Sequence, residues 1–203
     1  INGITELFDH LNIDNIFCYP QAFHTFGLTL GFASHQFKDW PIHFGEGKYS
    51  HTHHQTWLDN LTAGTLTLGT PTHFYDLIHW VKENNINPRE SVACIIGGAK
   101  VKKDLWFEIR DVLNIKNPSI GYGATEASPG VTHLAPGKEP FEDGEIGRPL
   151  SHVKAKMTPE GLLFSGPNLC MATWQKGPLQ FPKDFLLPDI VEVRESDGQW
   201  IYK

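Results

Sequence analysis

The 203-residue sequence contains only three cysteines, and it has neither an excess of positive charge nor a long apolar run. Cys18, Cys94 and Cys170 lie about 76 residues apart, and none belongs to a Cys-x-x-Cys pair. An odd number of cysteines at this spacing favours free thiols in a reducing compartment, which we expect to be the cytoplasm. Cys94 stands in the apolar run "VACII" and is expected in the core.

The net charge of −6 does not indicate the basic surface that binds nucleic acid, so we expect no nucleic-acid partner. No apolar run reaches the roughly 18 residues of a membrane-spanning helix. The first ten residues carry acids rather than the basic lead of a signal peptide. Because the first residue is Ile rather than Met, we expect the chain to begin within a longer protein.

The first two thirds of the sequence alternate short apolar runs with helical patterns. Strands are predicted at 15–20, 65–71, 91–96 and 117–123. One helix is predicted over 71–83, where Pro71 suits the first turn and apolar residues recur at helical spacing. A second is predicted where residues 101–113 form one apolar face. This rhythm predicts a mainly parallel sheet covered by helices.

The pattern changes near Gly144. Residues 152–158 alternate strictly, 162–166 are apolar, and the runs 189–195 and 199–203 flank a Ser-Asp-Gly turn typical of a hairpin. We therefore predict an α/β fold, with a mostly parallel sheet and covering helices, followed by a small antiparallel, barrel-like β subdomain. Residues 1–143 would form the α/β subdomain and residues 144–203 the β subdomain.

Two glycine-rich segments follow predicted strands, "GGAK" at 97–100 and "GYGATE" at 121–126. In an open parallel sheet, ligands bind beyond the carboxyl ends of the strands, so both segments should point to one edge. Tyr122 offers a stacking face, Thr125 can bond a phosphate oxygen, and Glu126 can ligate Mg²⁺. The pattern indicates a nucleotide and metal site.

The run "YGATE" at 122–126 resembles the Tyr-Gly-x-Thr-Glu signature of the adenylate-forming superfamily, which includes acyl-CoA synthetases, luciferases and peptide-synthetase adenylation domains. Further segments resemble that family in the same order along the chain: "YPQAFHTFGLTLG" at 19–31, "CIIGGAKV" at 94–101, "GEIGRPLSHVKAKM" at 144–157, "GLLFSGPNLCMATW" at 161–174 and "DFLLPDIVEVRESDGQWIYK" at 184–203. The resemblance covers nearly the whole chain.

The resemblance implies a two-step ligase reaction. A carboxylic acid attacks ATP to give an acyl-adenylate and pyrophosphate, and a thiol, usually that of CoA, then takes the acyl group. It further implies that Gly97, Gly98 and Ala99 line the adenine and acyl pocket.

The same resemblance implies roles for individual residues. Tyr122, with Gly123 beside it, would lie along the adenine, and Asp189 would bind the ribose hydroxyls. Thr125 would contact the phosphate and Glu126 would hold Mg²⁺. His24 would lie where the acyl and thiol sites meet.

The sequence also departs from the family pattern. The family's phosphate loop, its Gly-Arg hinge pair and its small C-terminal domain have no counterpart here, so we expect a middle fragment of the large domain that is inactive alone. "LPD" at 187–189 stands where Thr-Gly-Asp is usual, and Lys100 stands where a proline or small residue is common. The short stretch 174–185 favours members similar to o-succinylbenzoate–CoA ligase.

Simpler interpretations exist for several residues. Glu126 suits a solvated loop acid, Tyr122 a core aromatic, and His24 the cap of a helix that starts near Thr25. The histidines of "HTHH" at 51–54 are expected in a surface loop rather than on a metal, because no fourth ligand completes a zinc site. His133 is also expected at the surface, and Glu145 in a solvated turn.

Three functions fit the sequence. The first is a fragment of an ATP-dependent carboxylate–CoA ligase with ATP, Mg²⁺, CoA and a small carboxylic acid as its ligands. The second is a degenerate module that binds nucleotide or acyl ligand without turnover, and the third is an enzyme that loads a carrier-protein thiol. The sequence leaves the acid and the oligomeric state open.

Overall fold

The computed structural model describes residues 5–45, 49–174 and 177–203, and a large mixed sheet organises most of them. Its first five strands are β1 Asn15–Cys18, β2 Ile42–Phe44, β3 Thr65–Gly69, β4 Ser91–Gly97 and β5 Ile115–Gly123. They pair in parallel in the order β5-β4-β3-β1-β2. β1 and β3 are wholly buried and β4 almost wholly, so these strands are covered on both faces, which explains the continuous apolar run of β4.

Four later strands extend the same sheet with antiparallel pairing. These are β6 Gly130–Leu134, β7 Glu145–Pro149, β11 Val191–Val193 and β12 Trp200–Tyr202, in the order β11-β12-β7-β6 beside β5. A separate antiparallel sheet contains β8 Lys154–Thr158, β9 Gly161–Ser165 and β10 Phe185–Leu187. The predicted α/β fold with a parallel sheet followed by antiparallel strands is confirmed.

The division at Gly144 stays a prediction. Strands from both sides of that residue belong to the large sheet, because β7 lies between β6 and β12. The predicted hairpin is present as β11 paired with β12, and Gly198 in its turn has a φ of +67°. That left-handed conformation suits glycine, which carries no Cβ.

Four α-helices accompany the strands within the described ranges: α1 Ser34–Lys38, α2 Thr52–Asp59, α3 Pro71–Glu83 and α4 Lys103–Val112. A wide π-type helix, Phe26–Ala33, leads into α1, and short 3₁₀ turns occur at Glu6–Phe8 and Thr125–Ala127. The predicted helix over 71–83 is confirmed. It begins at Pro71 because the Thr70 hydroxyl accepts from the His73 amide, and its predicted apolar face is buried. Across the ranges described, we find no helix that is both long and apolar enough to span a membrane.

Three predictions of surface position were wrong. The "HTHH" run opens α2 rather than forming a loop, and His54 is buried with its Nδ1 3.1 Å from the Tyr19 hydroxyl. His133 is buried in β6. Glu145 is buried at the start of β7, where Oε2 lies 3.0 Å from Nη1 of Arg194. In each case a residue distant in sequence covers the side chain, and the local sequence pattern gives no sign of that contact.

Candidate active site

The two glycine-rich segments meet at the carboxyl edge of the parallel strands. Gly97 at the end of β4 is paired with Gly121 in β5, so "GGAK" and "GYGATE" lie side by side as expected. Gly98 has a φ of +85°, which turns the chain sharply away from the strand. A Cβ added to Gly97 would lie only 3.0 Å from the Gly121 carbonyl oxygen. The glycines therefore allow close backbone approach at this edge.

A first cavity of about 180 Å³ opens beside these segments. Its lining combines glycine backbone with aromatic and charged side chains: Gly98, Ala99, Lys100, Ile120, Gly121, Tyr122, Gly123, Ile146, Asp189 and Tyr202. Lys100 is exposed, so its ammonium is available to an anion at the mouth. A flat apolar face, a carboxylate and an accessible cation suit a nucleotide better than a purely apolar ligand.

Tyr122 and Asp189 form the most definite side-chain contact of this cavity. The Tyr122 hydroxyl donates to Oδ2 of Asp189 at 2.5 Å. Burial, and then the hydrogen bond and negative charge of Asp189, raise the pKa of Tyr122 far above its usual value, so the phenol stays a donor. The Tyr202 ring lies near that of Tyr122, with centroids 5.9 Å apart. The contact fixes the carboxylate and leaves Oδ1 for a ligand.

A second cavity of about 210 Å³ lies on the other side of the β5 glycines. It shares Gly98, Gly121, Tyr122 and Gly123 with the first, and its wall is mainly apolar through Phe26, Leu30, Ile95 and Pro129. At its mouth the Thr25 hydroxyl donates to that of Thr125 at 3.3 Å. The shared lining residues place the two cavities next to each other at the end of β5.

The segment after β5 is held by a distant asparagine. Nδ2 of Asn168 donates to the carbonyl oxygens of Ala127 and Gly130, both at 2.8 Å. The amide of Cys170 donates to the Glu126 carbonyl oxygen at 2.8 Å. Thr125 and Glu126 therefore sit on a turn that is anchored from the loop after β9.

Glu126 differs from most acidic residues of this protein because its carboxylate has no partner among the described residues. Its carboxylate is half-buried, and no hydrogen bond or ion pair to it occurs among the described residues. The same residues contain no cluster of three or more His, Cys, Asp or Glu side chains able to hold a metal. A single uncompensated carboxylate fits Mg²⁺, which takes its other ligands from water and phosphate.

The sequence-predicted residues are distributed over both cavities. Tyr122, Asp189, Gly98, Ala99 and Gly123 line the first, whereas His24, Thr125 and Gly97 line the second, with Gly98, Tyr122 and Gly123 shared. Glu126 lines neither. Their roles stay predictions.

His24 lies at the second cavity and also makes a local hydrogen bond. It is exposed at the mouth of the second cavity, and its Nδ1 accepts from the Phe26 amide at 3.4 Å. The local bond fixes the ring at the start of the π-type helix. The local bond and the position at the cavity mouth are therefore compatible, and the role of His24 stays a prediction.

Sequence reasoning missed His133, Thr25 and Tyr202 as lining residues. His133 is paired with Gly121 because β6 runs antiparallel to β5. The signal was present, since the run "GVTHL" follows the glycine-rich segment directly and can return along it as a hairpin strand. Burial of the predicted surface histidine follows from that pairing.

Comparison with known proteins identifies relatives that are similar to this chain in sequence. An acyl-CoA ligase of Penicillium expansum is 30% identical over 146 residues, which cover 70% of this chain and 30% of that protein. An acyl-CoA ligase of Aspergillus fumigatus is 28% identical over 163 residues, 77% of this chain and 27% of that protein. The chain thus spans about a third or less of these curated relatives.

The fold has close counterparts among solved structures. O-succinylbenzoate coenzyme A synthetase of Bacillus subtilis, in complex with ATP and magnesium ion, superimposes with a TM-score of 0.74 at 17% identity, over 99% of this chain and 45% of that one. The AMP-binding enzyme family matches residues 2–161, well over half of the sequence. The chain therefore belongs to the AMP-binding enzyme family, the family of adenylate-forming acyl-CoA ligases.

Proposed function

We propose that this chain supplies the acyl pocket and part of the nucleotide site of an AMP-forming, ATP-dependent carboxylate–CoA ligase. One observation carries the proposal: two cavities meet at a wall made of Gly98, Gly121, Tyr122 and Gly123. An acid carboxylate and the α-phosphate of ATP must touch for adenylation. Three of these four shared residues are glycines, so at their positions no side chain limits the approach of ligands in the two cavities.

In the first cavity, Tyr122 and Asp189 are the proposed adenosine contacts. The Tyr122 ring offers a face for adenine, while its hydroxyl keeps Asp189 in place. The remaining oxygen of Asp189 can accept from a ribose hydroxyl. The exposed Lys100 ammonium lies at the same cavity and adds positive charge for an anionic ligand. These contacts bind and orient the nucleotide rather than react with it.

At the junction, Thr125 and Glu126 are proposed to act on the phosphates. The Thr125 hydroxyl accepts from Thr25, so its own hydrogen remains available to donate to a phosphate oxygen. Glu126 would hold Mg²⁺, which neutralises charge that develops on the phosphate. His24 lies at the mouth of the acyl cavity, where an entering thiol would pass. Asn168 keeps this turn in position through two carbonyl oxygens.

We infer that the complete reaction requires more protein than these 203 residues, because the chain covers 30% or less of the curated relatives. The cytoplasm remains the proposed location, based on the free thiols of Cys18, Cys94 and Cys170. A relationship to members similar to o-succinylbenzoate–CoA ligase also remains a proposal, and the identity of the acid stays open.

The test is ATP-dependent release of pyrophosphate by the intact protein with a panel of carboxylic acids and Mg²⁺. We expect Glu126→Gln to lower the rate by about 100-fold, since one electrostatic contact to the reacting centre is worth about that much. The exposed Glu160→Gln, in the turn between β8 and β9, is the matched control and should retain the wild-type rate. An unchanged rate in Glu126→Gln would show that the metal assignment is wrong.

An assay with different acceptor thiols distinguishes the three candidate functions. Transfer of the acyl group to CoA supports the ligase, and transfer only to a carrier-protein phosphopantetheine supports the loading enzyme. Binding of ATP without pyrophosphate release for any acid supports the binding module.

A further inference from the structure

His133 is buried at the wall of the second cavity and makes no hydrogen bond there. Its side chain lines the cavity although the residue is only 8% exposed. Nε2 has no hydrogen-bond partner among the described residues. Nε2 is closed off from the cavity, so the nitrogen available to a ligand is Nδ1, which also has no hydrogen bond to the described residues and lies beside Gly121 of the cavity wall.

The other polar side chains of this cavity already have protein partners. Thr25 is bonded to Thr125, Thr132 donates to the Ile146 carbonyl oxygen, and His24 accepts from the Phe26 amide. Tyr122 donates to Asp189. Of the polar side chains that line this cavity in the described ranges, His133 alone has no hydrogen bond.

The position opposite His133 leaves room for a ligand. β6 pairs His133 with Gly121, and Nδ1 lies 3.4 Å from the place where a Cβ on Gly121 would be. Because residue 121 is glycine, that place is empty of side chain. A ligand atom near it would be within about the length of a hydrogen bond from Nδ1.

The imidazole is neutral in this setting. Burial lowers the pKa of His133 to about 4. A neutral imidazole has one N–H donor and one acceptor nitrogen. No lysine or arginine lines the cavity among the described residues, so an anionic group there would have no cationic partner. A neutral polar group that both donates and accepts, such as a hydroxyl, is the best match.

We infer that His133 selects, by hydrogen bonding, carboxylic acids whose mainly apolar body carries one neutral polar substituent such as a hydroxyl. The inference rests on the proposed function for the identity of the second cavity as the acyl pocket. A volume of about 210 Å³ accommodates a ligand of about aromatic-ring size or a short chain, since a 150 Å³ cavity already holds benzene. The inference disfavours succinylbenzoate, which would bring a second carboxylate into this cavity.

The test compares matched acids on the intact protein. The pairs are benzoate with its three monohydroxy isomers and hexanoate with 6-hydroxyhexanoate, with adipate as a dicarboxylate. We expect at least one hydroxylated acid to exceed its parent at least tenfold in kcat/KM for pyrophosphate release, because a site built to bond a hydroxyl rejects the analogue without it. Adipate should be poorer than 6-hydroxyhexanoate.

Two variants test whether the imidazole of His133 causes the preference for hydroxylated acids. His133→Phe keeps an aromatic ring without hydrogen bonds, and the ratio of hydroxylated to parent acid should fall towards one. His133→Gln keeps a donor and an acceptor and should retain part of the ratio. Because each ratio compares two acids on one protein, partial loss of folded enzyme cancels. A wild-type ratio near one, or a ratio that persists in His133→Phe, would overturn the inference.

Calorimetric binding of the same acids without ATP distinguishes this failure from failure of the proposed function. Pyrophosphate release without a hydroxyl preference overturns the inference and leaves the ligase intact. A hydroxyl preference in binding that His133→Phe removes, without pyrophosphate release from any acid, supports the role of His133 and refutes the ligase. Equal binding of both members of every pair refutes the role of His133 by itself.

Discussion

The hydroxyl of Tyr122 donates to Oδ2 of Asp189 at 2.5 Å, although 67 residues separate them in the chain. Tyr122 ends the parallel half of the large sheet, whereas Asp189 precedes β11 in its antiparallel half. The bond therefore joins both halves at the first cavity. It also holds a carboxylate beside an aromatic face, which is the arrangement proposed for adenosine.

Removing the phenol hydroxyl tests this contact directly. Tyr122→Phe keeps the ring but releases Asp189, so we expect ATP to bind about 10- to 100-fold more weakly, the worth of one hydrogen bond to a charged group. Asp189→Ala should weaken binding further. Calorimetry with ATP and Mg²⁺ measures both, and Tyr75→Phe on the outer face of α3 is the control. Equal affinity in Tyr122→Phe and wild type would refute the role of the bond.

Asn168 offers a test of the turn that carries Thr125 and Glu126. Its Nδ2 donates to Ala127 and Gly130, so Asn168→Ala leaves two carbonyl oxygens without a donor. We expect a loss of about 1–2 kcal/mol in the free energy of unfolding and a lower kcat for pyrophosphate release. Asn84→Ala, at the exposed end of α3, removes one comparable bond and should leave kcat unchanged. A normal kcat in Asn168→Ala would contradict the anchoring role.

Much of the fold could be predicted because its signals are local. The helix over 71–83 has a Thr-Pro start and an apolar face, and both features act within a few residues. The strand at 91–96 lies in a continuous apolar run. The place of β7 between β6 and β12 could not be predicted, because strand partners that are distant in sequence leave no local signal.

The distinction between local signals and partners distant in sequence also applies to the candidate site. The two glycine-rich segments were expected at one edge, because consecutive parallel strands end on the same side. The burial of His133 and Glu145 depends instead on partners elsewhere in the chain: Phe8 contacts the His133 ring edge-on, and Arg194 pairs with Glu145 from 49 residues away. A charge or an imidazole in a short polar run resembles a surface residue until that partner is known.

The buried ion pair of Glu145 predicts a large effect on stability. Glu145 has a fully buried side chain, and it receives bonds from Arg194 Nη1 at 3.0 Å and from the Phe141 amide at 2.9 Å. Arg194→Met removes the cation and leaves the carboxylate buried, so we expect a loss of about 3 kcal/mol in the free energy of unfolding.

A matched exposed pair provides the control. Lys116 and Glu90 are 2.6 Å apart at the surface, and Lys116→Met should cost less than about 1 kcal/mol. Chemical denaturation at pH 7 compares the two variants. Similar small losses in both would show that Glu145 is not held by Arg194.

A second buried polar group lies at the amino end of α2. Nδ1 of His54 is 3.1 Å from the Tyr19 hydroxyl, and the Tyr49 hydroxyl donates to Oδ2 of Asp76 at 3.1 Å beside it. Burial, and then the nearby His51, lower the pKa of His54 to about 4, although Asp76 acts in the opposite direction. The folded protein therefore keeps this imidazole neutral at a pH where an unfolded chain would protonate it.

The free energy of unfolding should consequently decrease as the pH is lowered through the range in which His54 titrates. The unfolded state takes up a proton near the ordinary histidine pKa of about 6.5, whereas the folded state does so only near 4, so stability is full above about pH 6.5 and is lost between 6.5 and 4. We expect wild type to lose about 2 kcal/mol more than His54→Gln over this window, because glutamine does not titrate. His79→Gln removes an exposed histidine on α3 and should follow wild type. Denaturant unfolding at pH 7.5, 6, 5 and 4.5 measures the difference, and parallel curves for wild type and His54→Gln would show that protonation of His54 does not oppose folding.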